Sequence, residues 1–277
     1  MSDAAARSAA PLRIAVAGAS GRMGQMLIET VAASDDMRLA AALDIAGSAA
    51  IGTDPLAPFG RSGSVRISAD VRAGLAGTDL LIDFTRPEGT LAHLALCREL
   101  GVKAVVGTTG FTPEQKAEIA GYAEHIAIVM APNMSVGVNV TMRLLEVAAR
   151  ALDDSFDVEI VEMHHRHKVD APSGTALQMG EVVAAARGRR LEDWAAHARH
   201  GETGERRPGS IGFASLRGGD VVGDHTVVFA GRGERLEITH RASSRATYAE
   251  GSLRAARFLA GKKKGLFGMN QVLGLAS

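Results

Sequence analysis

The first half of the chain alternates short apolar runs with longer stretches that favour helix. The apolar runs, each short enough for one strand, lie at residues 12–17, 37–43, 80–84, 102–106 and 125–130. The helical stretches lie at residues 25–33, 88–100 and 113–123. Because strands that alternate with helices form parallel sheets, this half predicts a Rossmann-like α/β domain whose ligands bind at the carboxyl ends of the strands.

The second half has a different pattern. A helix is predicted at residues 138–152, and apolar and acidic residues then alternate over 156–163, which is typical of a half-buried strand. A helix over 176–186 precedes a charged segment, 187–208, that we expect to be exposed with some helix. Further strands at 211–217, 225–230 and 234–240 precede a helix over 246–261 and a glycine-rich tail. These elements predict a second α+β domain with a mixed or antiparallel sheet.

Composition narrows the class of protein. The 277 residues are 46% hydrophobic and carry no formal net charge, which argues against a nucleic-acid partner. No stretch is long enough to span a membrane, and the first dozen residues lack the apolar run of a signal peptide. The single cysteine, Cys97, excludes an intrachain disulfide and is read as a buried core residue. We therefore expect a cytoplasmic protein with no membrane partner.

A glycine turn between the first strand and the first helix predicts a dinucleotide site. Gly18, Gly21 and Gly24 would let a pyrophosphate approach the N-terminus of the helix, although the same spacing also occurs in purely structural turns. Asp44 follows the second strand about 20 residues later, where an acidic residue can bind the ribose hydroxyls or can simply end a strand. Loops after later strands should border the same crevice. The predicted cofactor-binding residues are Gly18, Ala19, Ser20, Gly21, Arg22, Met23, Gly24, Asp44, Gly107, Thr108, Thr109, Ala131, Pro132, Asn133 and Met134.

A dense cluster of proton carriers lies where the strand over 156–163 leads to the next helix. His164, His165, His167 and Lys168 occur within five residues, and Ser173-Gly174-Thr175 follows as an anion-binding helix N-terminus. A metal site and a solvated basic loop are alternatives, but acid–base work on an anionic substrate accounts best for the cluster. We expect no metal. Asp170 either orients one of these groups or caps the following turn.

Four motifs together resemble the dihydrodipicolinate reductase family, also called 4-hydroxy-tetrahydrodipicolinate reductase. They are Gly-Ala-Ser-Gly-Arg-Met-Gly at 18–24, Gly-Thr-Thr-Gly at 107–110, Ala-Pro-Asn-Met-Ser-Val-Gly-Val-Asn at 131–139 and Glu-Met-His-His-Arg-His-Lys-Val-Asp-Ala-Pro-Ser-Gly-Thr-Ala at 162–176. The resemblance extends from about residue 12 to the C-terminal helix. It implies that NAD(P)H reduces a cyclic imine dicarboxylate to tetrahydrodipicolinate in diaminopimelate and lysine biosynthesis.

The resemblance also implies roles for single residues. His164 and Lys168 match the family's proton-transferring pair, while His165, Gly174 and Thr175, with the adjoining Ser173, match its contacts with the substrate carboxylates. It further implies a homotetramer and a discontinuous dinucleotide-binding domain, residues 1–135 and 246–277. Residues 136–245 would then form the substrate-binding and oligomerisation domain.

One departure from some relatives bears on the cofactor. Asp44 is followed by Ile45, whereas those relatives have a basic residue that can meet the 2′-phosphate of NADPH. We therefore predict a preference for NADH, although Arg22 could still reach a 2′-phosphate. Competing hypotheses are a metal-dependent hydrolase, a nucleotide-sensing module without turnover, and another reductase of the same fold.

Overall fold

The computed structural model describes residues 10–275, which form two compact units. Unit 1 contains the residues up to Ser135 together with those from Ala246 onward, and unit 2 is Val136–Arg245. The predicted dinucleotide-binding segments also include residues 1–9 and 276–277, which lie outside the described residues.

Unit 1 is built on one parallel sheet. Its first strands and helices are β1 (Leu12–Ala17), α1 (Arg22–Ala32), β2 (Met37–Leu43), β3 (Ile67–Ser68), α2 (Val71–Leu75), β4 (Leu80–Asp83), α3 (Pro87–Leu100), β5 (Lys103–Val106), α4 (Pro113–Ala123) and β6 (Ala127–Met130). The C-terminal segment of the chain adds α8 (Ala246–Ala260), β12 (Gly265–Phe267) and α9 (Met269–Leu273). The strand order is β12-β6-β5-β4-β1-β2-β3, and every pairing is parallel. The predicted Rossmann-like domain is confirmed.

Both faces of this sheet are buried. Along β1, Ile14 and Val16 pack into one apolar cluster while Ala15 and Ala17 pack into the cluster on the opposite face. Cys97 lies in the second cluster and is fully buried, as expected for a core residue. Because both faces are covered, only the edges and strand ends of the sheet remain for ligands.

Three predictions about unit 1 need correction. The helix predicted from residue 25 begins at Arg22, because the glycine turn leads directly into helical backbone. The short elements β3 and α2 were not predicted. The segment predicted as a glycine-rich tail contains β12 and α9. Three residues are too few for a periodic pattern, and β12 is held by its pairing with β6 and by the contact between the Phe258 and Phe267 rings.

Unit 2 has a mixed sheet, as predicted. Its elements are α5 (Val136–Ala151), β7 (Asp157–His164), α6 (Gly174–Ala186), α7 (Leu191–Trp194), β8 (Ala195–Ala196), β9 (Ile211–Arg217), β10 (Gly223–Ala230) and β11 (Arg235–Ala242). In the order β11-β10-β7-β9-β8, β10 is antiparallel to both its neighbours, whereas β9 is parallel to β7 and β8. Residues from α5, α6 and one face of the sheet form the core of this unit. The guanidinium groups of Arg189 and Arg207 both stack on the Trp194 ring, with Cζ 4.0 and 4.4 Å from its centre.

Across residues 10–275, none of the helices has both the length and the apolar character needed to cross a bilayer.

Candidate active site

The glycine turn of unit 1 leaves the start of α1 open to a ligand. Gly18 has a left-handed backbone, with φ of 69°, and a Cβ on Gly24 would lie 2.0 Å from the Gly18 carbonyl oxygen. Only glycine fits this contact between turn and helix. Among the described residues, the N–H groups of Arg22 and Met23 have no protein acceptor. An anionic group can therefore bind them at the positive end of the helix.

Asp44 is hydrogen-bonded to this turn. Its Oδ2 accepts the N–H of Ser20 at 2.8 Å, and its Oδ1 accepts the N–H of Ile45 at 2.8 Å. Burial opposes ionisation, but the hydrogen bonds from Ser20 and Ile45 outweigh it and hold the pKa of Asp44 below its usual value. The carboxylate is thus a fixed negative charge beside the turn, suited to hydroxyl groups and unfavourable to a phosphate.

The remaining predicted cofactor residues follow β5 and β6 at the carboxyl edge of the sheet. Three of them, Thr108, Ala131 and Met134, have buried side chains, so only their backbone could contact a cofactor, and the same holds for Ala19 after β1. The Thr108 hydroxyl lies 2.8 Å from that of Thr90, and Met134 belongs to the core cluster. Gly107, Thr109 and Pro132 follow the same strands. The Asn133 side-chain oxygen accepts the N–H of Ser135.

In unit 2, buried and half-buried residues alternate along β7, and the buried face includes two ionisable side chains. Val158, Ile160, Glu162 and His164 all face inward, so the apolar series ends in a carboxylate and an imidazole. His164 is the last residue of the strand and is not in the predicted loop. Asp157 and Glu159 lie on the other face of the strand, whereas Glu162 shares the buried face and its side chain is 1% exposed.

Glu162 is surrounded by hydrogen-bond donors. Arg217 of β9 binds both of its oxygens at 2.8 Å, and the N–H of Ser173 is 3.2 Å from Oε1. The Nδ1 atom of His164 lies 2.6 Å from Oε2. Burial would raise the pKa of Glu162, but hydrogen bonds with Arg217, the Ser215 side chain and His164, with Arg217 foremost, lower it to about 2. Neither Glu162 nor Arg217 was predicted as a site residue.

Burial favours the neutral form of a side chain, so it lowers the pKa values of the two histidines in this cluster, whereas it would raise that of Glu162. It lowers the pKa of His164 below its usual value, and the hydrogen bond with Glu162 offsets only part of the shift. His225 of β10 packs edge-on against His164, with ring centres 5.0 Å apart, and burial lowers its pKa to about 4. Both imidazoles are therefore neutral near pH 7. His225 was not predicted either.

Lys168 lies in the loop beyond β7. Its Nζ donates to both oxygens of Asp170, at 2.8 and 2.9 Å. Asp170 therefore orients the lysine, and the helix is capped instead by Ser173, whose Oγ accepts the N–H of Ala176. The alternative in which Asp170 caps the following turn is wrong, because the hydrogen bonds that its carboxylate accepts from other described residues come from Lys168.

The N-terminus of α6, like that of α1, has backbone N–H groups that are open to a ligand. In the part of the chain that the structure describes, the N–H groups of Gly174 and Thr175 have no protein acceptor. Ser173 differs from these two residues because it is 2% exposed and its hydroxyl lies 2.8 Å from Nε2 of His225.

His165 precedes this helix in the chain, and its Nδ1 is buried without a partner among residues 10–275. Its ring centre is 6.1 Å from that of His167. No three His, Cys, Asp or Glu side chains of the described residues are grouped to hold a metal ion.

A glycine turn at the carboxyl edge of a parallel sheet, with a buried acid–base cluster in a second unit, defines a pyridine-nucleotide-dependent oxidoreductase. The family model for the N-terminus of dihydrodipicolinate reductase matches residues 12–134, and the model for its C-terminus matches residues 137–273. The chain belongs to the dihydrodipicolinate reductase family, which confirms the resemblance seen in its motifs.

Individual relatives are similar over almost the whole chain. The 4-hydroxy-tetrahydrodipicolinate reductase of Ralstonia nicotianae is 63% identical over 264 residues, 95% of this chain and 100% of the relative. That of Nitrosomonas europaea is 62% identical over 265 residues, 96% of this chain and 99% of the relative. A solved structure, dipicolinate-bound dihydrodipicolinate reductase from Paenisporosarcina sp., matches with a TM-score of 0.76 at 26% identity, covering 94% of this chain and 99% of that one.

Proposed function

We propose that this chain reduces 4-hydroxy-tetrahydrodipicolinate to tetrahydrodipicolinate with NAD(P)H, in diaminopimelate and lysine biosynthesis. The observation that carries the proposal is the arrangement of the 162–176 motif, in which a buried histidine, a lysine and a helix N-terminus occur on one strand-to-helix connection. The names of the full-length relatives support the same reaction.

In this proposal, His164 and Lys168 transfer protons. Lys168 is a cation whose N–H groups can donate, and His164 is a neutral ring at the end of β7. His165 and the N–H groups of Gly174 and Thr175 bind the substrate carboxylates, because a helix N-terminus favours an anion. Ser173 supports this contact by capping α6, since its own hydroxyl and N–H are already bonded.

The proposed cofactor site is the carboxyl edge of the parallel sheet in unit 1. The open N–H groups of Arg22 and Met23 and the close contact between Gly18 and Gly24 suit a pyrophosphate. When bound, the nicotinamide ring supplies the hydride. We propose that NADH is preferred, because the Asp44 carboxylate accepts hydroxyl groups and repels a 2′-phosphate. The exposed Arg22 is the residue through which NADPH could also be used.

We further propose that unit 1 is the dinucleotide-binding domain and that unit 2 binds substrate and forms a homotetramer. One face of the unit 2 sheet is covered by α5 and α6, while Leu216 on β9, which pairs with Met163 on the other face, is 49% exposed. Exposed apolar side chains on a sheet are suited to contacts between subunits. A cytoplasmic location stays a prediction from the sequence.

The direct test follows NADH oxidation at 340 nm on the product formed by condensing pyruvate with aspartate semialdehyde. We expect turnover that requires both the condensation product and the protein. NADH binding without turnover would contradict the proposal and favour a nucleotide-sensing module. Loss of activity on treatment with a chelator would instead favour a metal-dependent enzyme.

A further inference from the structure

The ion pair of Glu162 and Arg217 lies directly behind His164 in unit 2. The Arg217 guanidinium binds both carboxylate oxygens, and it also donates to the Asp170 carbonyl oxygen at 2.6 Å. The pair therefore connects β7, β9 and the loop that carries Lys168. Burying an ion pair is costly, and here the Arg217 Nε is buried without a hydrogen-bond partner among the described residues. A structural role alone would not require one of its oxygens to be directed at His164.

The surroundings of Glu162 fix which groups donate. Three N–H donors surround the carboxylate, two from Arg217 and one from Ser173, and hydrogen bonds from Arg217 and the Ser215 side chain keep it ionised. An ionised carboxylate can only accept hydrogen bonds. The hydrogen between Glu162 Oε2 and His164 Nδ1, atoms that are 2.6 Å apart, must therefore be on Nδ1.

A neutral imidazole has one N–H group, so a hydrogen on Nδ1 leaves a lone pair on Nε2. That nitrogen lies beside Gly223, where a Cβ would be 2.9 Å away. No hydrogen bond to Nε2 is formed by any group within residues 10–275. The side chain of His164 is 11% exposed, so a small ligand can reach its outer edge.

We propose that Glu162, held by Arg217, is a positioning residue that fixes His164 as the Nδ1–H tautomer and presents Nε2 as a proton acceptor. The inference rests on the proposed function only in assigning His164 to a reacting proton. It assigns separate roles to His164 and Lys168. A neutral His164 of this tautomer can accept a proton at Nε2 and cannot donate one from that atom. The donor is then Lys168, whose ammonium group has three N–H bonds.

The charges around His164 set the sign of the expected pH effect. Glu162 faces it from its own strand, Arg217 from β9, His225 from β10 and Lys168 from the following loop. Only Glu162 favours the protonated ring, and the cations oppose it. Removing the negative charge therefore lowers the pKa of His164 further. If His164 must be neutral to act, the acidic limb of the kcat/KM profile moves to lower pH.

The test is nitrogen-15 NMR of the full chain with labelled histidine, which distinguishes the two tautomers by their ring nitrogen shifts. A His164→Gln variant identifies the His164 signals. We expect the Nδ1–H form in the wild type and its loss in Glu162→Gln, whose amide can donate to Nδ1. A wild-type Nε2–H form would overturn the proposal, and so would an unchanged tautomer in both Glu162→Gln and Glu162→Leu, because the leucine side chain cannot accept a hydrogen bond from Nδ1–H.

Glu159→Gln is the matched control. Glu159 is on the opposite face of the same strand, and Arg199 and Arg206 bind its carboxylate. The substitution makes the same chemical change and also removes an arginine-paired charge, yet it does not touch His164. We expect its His164 tautomer and the acidic limb of its pH profile to match the wild type. A tautomer shift in this control would attribute the effect to general loosening of unit 2.

Kinetics separate this proposal from the proposed function. We expect Glu162→Gln to lower kcat by at least about 10-fold and by no more than the ~10²–10⁴-fold that acid–base catalysis contributes, with little change in the KM for NADH. If Glu162→Gln does not fold, the double variant Glu162→Gln/Arg217→Met removes both charges and leaves none unpaired. Should His164→Gln retain full activity while the tautomer result holds, the catalytic assignment fails and the positioning inference survives.

Discussion

Each unit contains a helix N-terminus whose first N–H groups are open to a ligand, but the side chains around the two helix N-termini differ. In both, a helix begins with N–H groups that lack a protein acceptor, at Arg22 and Met23 in α1 and at Gly174 and Thr175 in α6. Near the first, the fixed charge is the Asp44 carboxylate, which is bonded to the turn itself. Near the second are a neutral histidine and a lysine.

This difference shows which features determine what each site can bind and whether it can transfer a proton. The helix N-terminus supplies only a preference for an anion, common to both sites. The neighbouring side chains then select between binding and chemistry. Asp44 can hold hydroxyl groups but moves no proton at neutral pH, because its pKa is held below its usual value. The α6 site has a donor and an acceptor for protons. Substitutions at each terminus should therefore have separable effects.

The largest effect is expected from Lys168→Ala. It removes the proposed proton donor, so kcat should fall by about 10²–10⁴-fold while NADH binding stays nearly unchanged. Steady-state kinetics and fluorescence titration with NADH measure the two quantities. The exposed Lys116 on α4 provides the control, since Lys116→Ala should change neither. A parallel loss of turnover and NADH affinity would show that the two sites are not separable in this way.

Gly24→Ala should act on the other terminus. The added Cβ would lie 2.0 Å from the Gly18 carbonyl oxygen, so the turn must shift. We expect a cost of roughly 1–3 kcal/mol in stability and weaker NADH binding. Thermal unfolding and the NADH Kd measure it. The matched control, Gly121→Ala, places its Cβ in open space on α4 and should be neutral or slightly stabilising. Unaltered NADH affinity in Gly24→Ala would rule out the glycine turn as the pyrophosphate site.

A smaller effect is expected from Asp44→Asn, which keeps an acceptor oxygen but removes the charge. It should lower kcat/KM with NADH by about 10-fold, the scale of one lost hydrogen bond to a charged group. The value with NADPH should fall less or rise, because the repulsion of a 2′-phosphate is gone. The ratio of the two kcat/KM values is the measurement. A clear NADPH advantage in the wild type would contradict the NADH prediction.

The smallest effect concerns stability against pH. Burial lowers the pKa values of His164, His225 and His240, so the unfolded chain binds protons that the folded one excludes. The free energy of unfolding should therefore fall as the pH drops from about 6.5 toward 4, the pKa of His225. Chemical denaturation at several pH values measures this fall. His225→Gln should flatten part of the slope, and an identical slope would mean that His225 titrates normally.

The sequence predicted the parts of both sites that depend on neighbours in the chain. The glycine spacing at 18–24 and the 162–176 motif are local patterns, and each leads from strand to helix as expected. Glu162 was missed because acidic residues in an alternating strand normally face solvent. The residue that makes its burial tolerable, Arg217, is 55 positions away in the chain.

His225 shows the same limit, since its partner Ser173 is 52 positions distant. In the sequence it is only the first residue of a predicted strand. Strand β12 was missed for a different reason. Its three residues have no pattern of their own, and the pairing with β6 reaches back about half the length of the chain. Long-range partners, and not local propensity, decide these features.

The pairing of β12 with β6 has a consequence for synthesis on the ribosome. Unit 2 is one uninterrupted segment, so it can fold as soon as Arg245 has emerged. Unit 1 must wait, because α8 supplies Ala249, Leu253 and Leu259 to its core and β12 completes its sheet. We predict that chains ending at Arg245 and released from the ribosome have a protease-resistant unit 2 and a protease-sensitive unit 1. Pulse proteolysis of such chains would show whether unit 1, most of which is synthesised first, is the last to fold.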